Sequence, residues 1–515
     1  MGEQILMETN QMQPVIETSP LTGETIRELT PPSVEDIHEI VLKGRAAFES
    51  WSKTSIKQRT DALKSLRRLM IDRLDEIIGV LRRSTGKVDM ESLTSDVFAT
   101  ISMIDYYEKN AAEILAAKSA EAPAALIGNS FFVERSPLGL VLVISPWNFP
   151  LQLAMVPAIT ALTAGNAVVL KPSEVTLSVG ELIQDLIDES DYPADLFKVV
   201  SGGPDVGKAL INEKPDKIFF TGSVATGKKI MGAAAENIIP LELELGGKDP
   251  MIVFNDANIH RAVHGALYGG FSNAGQTCVS VERLYVQDKI YETFVEKLTK
   301  EACKIKLGSG KSGDIGPIID PRQKDIIETH INDAIEKGAK ATLALKKRDG
   351  FFSPVILRDA DHTMKVMVEE TFGPVLPVMM FRTEEDAVRL ANDSEYGLNA
   401  SVWSRDMEKA RRVAKRLVTG NCAVNNVIVN ISNPHTPFGG EKKSGFGRYH
   451  GPEGLYSFCR TKTIMVNRGL LKKEINWFPY TRSGYIAVKS LMKLLYGKNA
   501  IRDGAKKALK FLKGE

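Results

Sequence analysis

The sequence predicts an α/β protein made of two doubly wound domains, each a mostly parallel sheet with helices on both faces. Three observations carry this reading. A chain of 515 residues exceeds what a single hydrophobic core serves. From Leu138 onward, short apolar runs of strand length alternate with stretches of helical periodicity, the pattern of βαβ units. The alternation runs twice, the second series beginning after Gly247.

The first 118 or so residues read mostly as helices. Pro31-Pro32-Ser33 caps one that carries Ile37, Ile40, Val41, Ala46 and Phe48, and a second runs from Asp61 to about Arg83. Gly128 to Leu142 reads as extended. The first series of strands is Leu140–Ile144, Ala167–Lys171, Phe197–Ser201, Lys217–Thr221 and Ile239–Leu245. The second is Pro250–Phe254, Arg283–Val286, Val355–Leu357, Val375–Met380 and Ala423–Val427, with helices over Tyr291–Ile305 and Thr383–Asn392. Pro137 to Leu170 holds no charged residue and is long enough to span a bilayer. Pro146, Pro150, Pro157, Gly165 and Asn166 interrupt it at the spacing of strand, turn, helix, turn and strand, so a buried βαβ unit is expected instead.

The bulk properties exclude several classes of protein. A net charge of +2 argues for no nucleic-acid partner. Cys278, Cys303, Cys422 and Cys459 lie far apart, which excludes a disulfide framework and a zinc site of the usual spacing, and no metal is expected. The amino terminus, MGEQILMETNQ, shows no secretory signal, and Leu6 breaks a myristoylation motif. A reducing, cytoplasmic setting is the expectation.

Four short motifs carry chemistry. Thr221-Gly222-Ser223-Val224-Ala225-Thr226-Gly227 follows a strand and opens a helix, where small residues let a pyrophosphate approach backbone N–H groups. Lys171-Pro172-Ser173-Glu174 ends another strand at the edge where open α/β sheets bind ligands. There Lys171 can reach a ribose hydroxyl, and Glu174 can accept from a 2′-hydroxyl, which favours NAD over NADP. Gly275-Gln276-Thr277-Cys278 surrounds one thiol with small and polar residues. Glu244-Leu245-Gly246-Gly247-Lys248 sets a carboxylate beside a double glycine, read as a tight turn. Taken singly, each motif reads at least as readily as a turn, a helix start, an inert cysteine or a solvated acid.

Together with Pro146-Trp147-Asn148-Phe149-Pro150, Glu370-Thr371-Phe372-Gly373-Pro374 and Pro437-Phe438-Gly439-Gly440 through Ser444-Gly445-Phe446-Gly447-Arg448, they occur in an order and spacing that resembles the NAD(P)-dependent aldehyde dehydrogenase superfamily. The resemblance covers about Val15 to Val466, and the region Cys278 to Arg283 is similar to bacterial general and semialdehyde dehydrogenases. It implies Cys278 as nucleophile, Glu244 as general base for thioester hydrolysis, and Asn148 as oxyanion donor beside the Cys278 backbone N–H. It implies Glu370 and Phe372 at the nicotinamide ribose and ring. Along the rest of the cofactor it implies Ile144, Ser145, Pro146, Trp147, Lys171, Ser173, Glu174, Gly203, Phe220, Gly222, Ser223, Gly227 and Leu245.

It further implies an NAD-binding domain over 1–118 and 138–246, a catalytic domain over 247–446, and strands at 119–137 and 455–468 that build a homodimer or homotetramer. Two rivals on the same fold are CoA-acylating or phosphorylating oxidation, which Glu244 speaks against, and a catalytically silent scaffold. Succinate-semialdehyde dehydrogenase stays open as the specific activity. The chain departs from the family at Pro157, where many members carry lysine, and at Tyr449-His450, where several carry an acid after the arginine.

Residues 469–515 form a basic tail beyond the resemblance. Ile501, Ala505, Ala508, Leu509 and Leu512 fall at helical spacing among lysines, and Val488, Leu491, Met492 and Leu495 repeat the style. Such a helix lies on an anionic membrane surface or packs on its own or a neighbouring subunit.

Overall fold

The computed structural model of the chain describes residues 12–123 and 126–497. The periodic residues 501–512 of the tail lie outside them. Two sheets dominate. The first has the strand order Gly445–Phe446, Leu241–Glu244, Lys217–Thr221, Leu140–Ile144, Ala167–Lys171 and Phe197–Val199. Its pairs are parallel except for Gly445–Phe446, which runs antiparallel to Leu241–Glu244. The second has the order Lys340–Leu343, Val355–Arg358, Val375–Phe381, Val281–Gln287, Asp249–Val253, Ser401–Trp403 and Ala423–Val424, parallel apart from the Lys340–Leu343 edge.

The charge-free stretch is a βαβ unit: Leu140–Ile144, the helix Gln152–Ala164, then Ala167–Lys171. Both strands are buried along their whole length, as a central parallel sheet covered on both faces requires. The helix is buried all round except at Gln152, which explains its uniform apolarity. Gly165, left-handed with φ 100°, ends it.

Several expectations need correction. The segment Asp61–Arg83 is two helices, Ile56–Asp72 and Leu74–Thr85, broken at Arg73. Arg73 leaves helical geometry while its guanidinium grips Glu76 with two bonds of 2.7 and 2.8 Å, so apolar periodicity alone runs through the break. The amino-terminal region also holds a hairpin, Val15–Thr18 with Thr25–Leu29, closed by a turn in which Ser19 Oγ accepts from the Leu21 and Thr22 N–H groups. Ser401–Trp403 is a strand that three residues could not announce by alternation. The observed strands Phe197–Val199, Leu241–Glu244 and Ala423–Val424 are shorter than expected. Gly445–Phe446 pairs into the first sheet, so residues up to 446 do not all belong with the second.

A separate unit comprises the described parts of Leu115–Arg135 and Thr461–Glu515. It contains most of a three-stranded sheet, ordered Cys459–Asn467, Asn129–Pro137, Lys118–Ala120, and the helix Arg482–Tyr496. Residues 451–457, expected in part as strand, are helix. Among the described residues no helix is long and apolar enough to cross a membrane.

Candidate active site

A cleft of about 870 Å³ opens at the carboxyl ends of the first sheet's strands, where open α/β sheets take ligands. Its walls include Ile144, Lys171, Phe220, Thr221 and Glu244 from those strands, and Cys278, Arg322, Glu370 and Phe372 from the second series. Ser145, Pro146, Trp147, Asn148, Ser173, Glu174, Gly222, Ser223 and Leu245 also line it.

Ser223 caps the helix Val224–Ala235, accepting from the Thr226 N–H at 3.3 Å, so that helix points its amino terminus at the cleft. Gly222 is required by crowding, since a Cβ there would come within 2.5 Å of the Phe220 ring. Lys171, nearly buried, places Nζ 3.4 Å from Glu174 Oε2 and 3.2 Å from the Pro172 carbonyl, and burial holds its pKa below the usual lysine range. Arg322 approaches the other Glu174 oxygen at 4.0 Å while bound to Asp320. Gly203 and Gly227 are not among the lining residues. Gly227 instead lets its helix approach Leu245, whose Cδ2 would lie 2.8 Å from an added Cβ. Gly203 is the residue before the helix Pro204–Asn212, and it is Pro204 and Asp205 that reach the wall.

At the other end the thiol of Cys278 lies in a turn held from several sides. Asn273 and Ala274 are left-handed at φ 52° and 54°, followed by Gly275 at 73°. Glu91 Oε1 accepts from the Asn273 N–H at 2.6 Å, and Gln276 ties the turn to Pro317 and Ile319. Asn148 donates from Nδ2 to the Gln276 carbonyl at 3.1 Å, which brings the amide to the same turn. Burial, then the charges of Asp249, Glu370 and Glu244, push the Cys278 thiol up.

Glu244 ends the strand Leu241–Glu244, between Thr221 and Gly445 in register. It is 3% exposed, and neither carboxylate oxygen has a hydrogen-bond partner among the described residues. Burial and the like charge of Glu242 hold its carboxyl well above the usual range, with Arg448 opposing. A buried carboxylate with both oxygens free of partners is costly to keep and is ready to take a proton.

Residues 245–248 form no turn or bend, and neither Gly246 nor Gly247 has positive φ. They are places of close approach: a Cβ on Gly246 would lie 2.3 Å from the Glu370 carboxylate, and one on Gly247 2.4 Å from the Cys278 carbonyl oxygen. The Gly247 N–H donates to Glu370 Oε1 at 3.1 Å, and burial with the Glu282 charge pushes the Glu370 carboxyl up to about 8. Phe372, at φ 50°, meets the Trp147 ring edge-on at 5.5 Å between centroids.

Sequence reasoning missed three supports. Lys87, fully buried, pairs with Asp96 at 2.9 Å and donates to the Asn148 carbonyl at 2.7 Å. Asp96 also receives the Leu151 and Gln152 N–H groups, so this pair fixes the entry to the helix that follows Asn148. Glu282 accepts from the Thr371 and Phe372 N–H groups at 2.7 and 2.9 Å while paired with Lys248 at 2.5 Å, and so holds the Glu370–Phe372 loop. Arg322 with Asp320 is the third. Gly86-Lys87 reads in sequence as an ordinary helix end, and no local pattern marks the others. At the two departures, Pro157 is buried within the helix Gln152–Ala164, and Tyr449 is fully enclosed, its hydroxyl pushed up by burial and by Glu244 and Cys278. His450 is buried with neither ring nitrogen partnered among the described residues, and burial lowers it to about 3.

This fold and cleft define an enzyme of the aldehyde dehydrogenase class. Residues 6–464 match the model of the Aldehyde dehydrogenase family, and the chain belongs to that family. It is 45% identical over 491 residues to a 4,4'-diapolycopene aldehyde oxidase of Methylomonas sp, covering 95% of this chain and 93% of the relative. It is 36% identical to a betaine aldehyde dehydrogenase of Bacillus subtilis (strain 168), covering 93% and 98%. A crystal structure of betaine aldehyde dehydrogenase from Staphylococcus aureus in complex with NAD+ superposes with TM-score 0.85 at 33% identity, over 90% of this chain and 94% of that one.

Proposed function

We propose that the enzyme oxidises an aldehyde on an extended apolar chain to the carboxylic acid, with Cys278 as nucleophile, Asn148 as oxyanion donor, Glu244 as general base and NAD as hydride acceptor. The observation that carries this is the shared cleft: Cys278, Asn148 and Glu244 line the same cavity as Lys171, Glu174 and the amino terminus of the helix Val224–Ala235. That half suits a dinucleotide, with small residues at Gly222 and Ser223 and a carboxylate at Glu174. Bound there, NAD supplies a hydride acceptor.

The Cys278 thiolate attacks the carbonyl carbon, an S–C bond forms, and the carbonyl oxygen becomes an oxyanion facing the Asn148 amide. Donors of that kind are worth on the order of 10²–10³ in rate. The C–H bond then breaks with its electron pair, leaving a thioester on Cys278. Glu244 takes a proton from water, the water oxygen attacks the acyl carbon, and the C–S bond breaks to release the acid and restore the thiolate. Glu282, through the Thr371 and Phe372 N–H groups, and Lys87, through the Asn148 carbonyl, act as positioning residues.

The apolar substrate is supported by the relative of 45% identity, whose name specifies diapolycopene aldehyde. Initial rates of NADH formation across aldehydes of graded chain length and terminal charge test it. Rising kcat/KM with apolar length is expected, without any need for oxygen. Preference for succinate semialdehyde, or acid formed without NADH, would overturn the proposal. A cytoplasmic setting suits four cysteines that form no disulfide, and assembly into a homodimer or homotetramer would use the small sheet of the separate unit.

Glu174 is the proposed determinant of NAD over NADP, because a 2′-phosphate would meet it as a like charge, softened by Lys171 and Arg322. Glu174→Gln is expected to shift the NADP/NAD ratio of kcat/KM toward NADP by about tenfold, or about 1.4 kcal/mol. An unchanged ratio would remove Glu174 from that role.

A further inference from the structure

Helix Arg482–Tyr496 and the segment before it leave an apolar surface uncovered in the separate unit. Of the helix only Gly484 is buried. Tyr485, Val488, Leu491, Met492 and Leu495 recur at helical spacing along one stripe, and Arg482, Lys489 and Lys493 flank it. Just before the Thr481 cap come Trp477, Phe478 and Tyr480, all exposed, Phe478 by 78%, and Leu470 further upstream is 85% exposed. The amphipathic rings of Trp477 and Tyr480, near basic residues in sequence, suit a water–lipid boundary.

The charge of the tail points to one partner. Residues 469–515 carry eleven Lys and Arg against three Asp and Glu, in a chain whose net charge is only +2. The remainder of the protein is therefore net acidic, and the tail is its basic pole. At 15 residues the helix is about 22 Å long, short of the roughly 30 Å hydrocarbon core, so it lies in a surface rather than crossing it. The family match ends at residue 464. The Methylomonas sp relative is matched over 95% of this chain, so the unmatched part is about a twentieth of it, whereas residues 465–515 are about a tenth. That likeness necessarily continues into the tail.

We propose that Leu470–Tyr496, together with the tail's lysines and arginines, docks the enzyme on an anionic phospholipid surface. The apolar stripe and Trp477 and Phe478 enter the headgroup boundary, and the basic flank faces the lipid phosphates. The docking itself rests on the tail alone. Its use, keeping the enzyme where apolar aldehydes dissolve, rests on the substrate proposed above.

The test is co-sedimentation of the full-length enzyme with phosphatidylcholine vesicles, with and without phosphatidylglycerol. Binding only to vesicles containing phosphatidylglycerol, released by about 1 M salt, is expected. The K489E/K493E variant should bind them about tenfold or more weakly, and W477S/F478S should likewise lose binding. Both variants should keep wild-type turnover of a short soluble aldehyde and the wild-type mass by light scattering. Failure of the full-length enzyme to bind, or equal binding to neutral vesicles, overturns the proposal. So does a loss of oligomeric mass in the variants with vesicle binding unchanged, which would mean that a second copy covers the face. Because turnover of the soluble aldehyde is read separately, failure of the docking is distinguishable from failure of the catalytic assignment.

Discussion

Replacing Cys278 with alanine is expected to end NAD-dependent aldehyde oxidation while leaving NAD binding in place. Every step after substrate binding in the proposed reaction passes through a bond to that sulfur, so no slower version of the same route survives. Loss of a covalent nucleophile of this kind lowers kcat by on the order of 10⁶ in a comparable acyl-transfer enzyme, and a fall of about 10⁴ or more is expected here. The side chain is small and sits in a turn fixed by Glu91, Asn148 and Gln276, so the variant should retain its fold. NADH absorbance measures the first effect and titration calorimetry with NAD the second. Turnover within about tenfold of wild type would remove Cys278 from the nucleophile's role. The wild-type thiol offers a second measurement. Burial and nearby carboxylates hold its pKa up, so the thiolate fraction is small at neutral pH, and alkylation by iodoacetamide should speed up as pH rises.

Glu244→Gln is expected to leave the first half-reaction largely intact and to slow thioester hydrolysis by on the order of 10²–10⁴. Rapid mixing should show a burst of NADH stoichiometric with active sites, then a slow phase. Equal slowing of both phases would instead place Glu244 in thioester formation. The pH dependence follows in sign. Burial and Glu242 raise the Glu244 pKa, so the base keeps its proton to higher pH than an ordinary glutamate does. Where hydrolysis limits turnover, kcat of the wild type should climb with pH through that raised value, and the climb should vanish in the glutamine variant. Stability moves the other way. A group whose folded pKa is raised above its unfolded one favours the folded state at low pH and loses that contribution as pH rises through the folded value. The Tm of Glu244→Gln relative to wild type should therefore increase as pH rises from the ordinary glutamate range through that raised value.

The parts of this structure that were legible in the sequence share a physical cause. Leu140–Ile144, Ala167–Lys171 and Lys217–Thr221 are continuous apolar runs, because strands buried on both faces need no alternation, and turn residues mark their ends. The break at Arg73 is illegible because no glycine or proline marks it and the helical periodicity continues across it. In the site, the legible residues come in compact motifs. The supports do not: Lys87 reaches Asn148 across 61 positions, and Glu282 reaches Thr371 across 89. The double glycine after Glu244 was read for the wrong reason, as freedom to turn. Its actual constraint, the nearness of the Cys278 carbonyl and of Glu370, involves partners more than 30 and more than 120 residues away respectively.

The run of left-handed residues before Cys278 also reaches outward. A Cβ on Gly275 would lie 2.1 Å from the Gly373 carbonyl oxygen, so the thiol's turn rests directly against the loop that carries Glu370 and Phe372. Asn273 and Ala274, neither of them glycine, hold a conformation that costs on the order of 1 kcal/mol or more each, and the contacts around them keep it in place. Substitutions on either side of this joint would therefore be accepted in matched pairs more readily than singly. A lineage drifting toward a new aldehyde would alter its sulfur's aim and the set of the Glu370–Phe372 loop together, as one inherited unit.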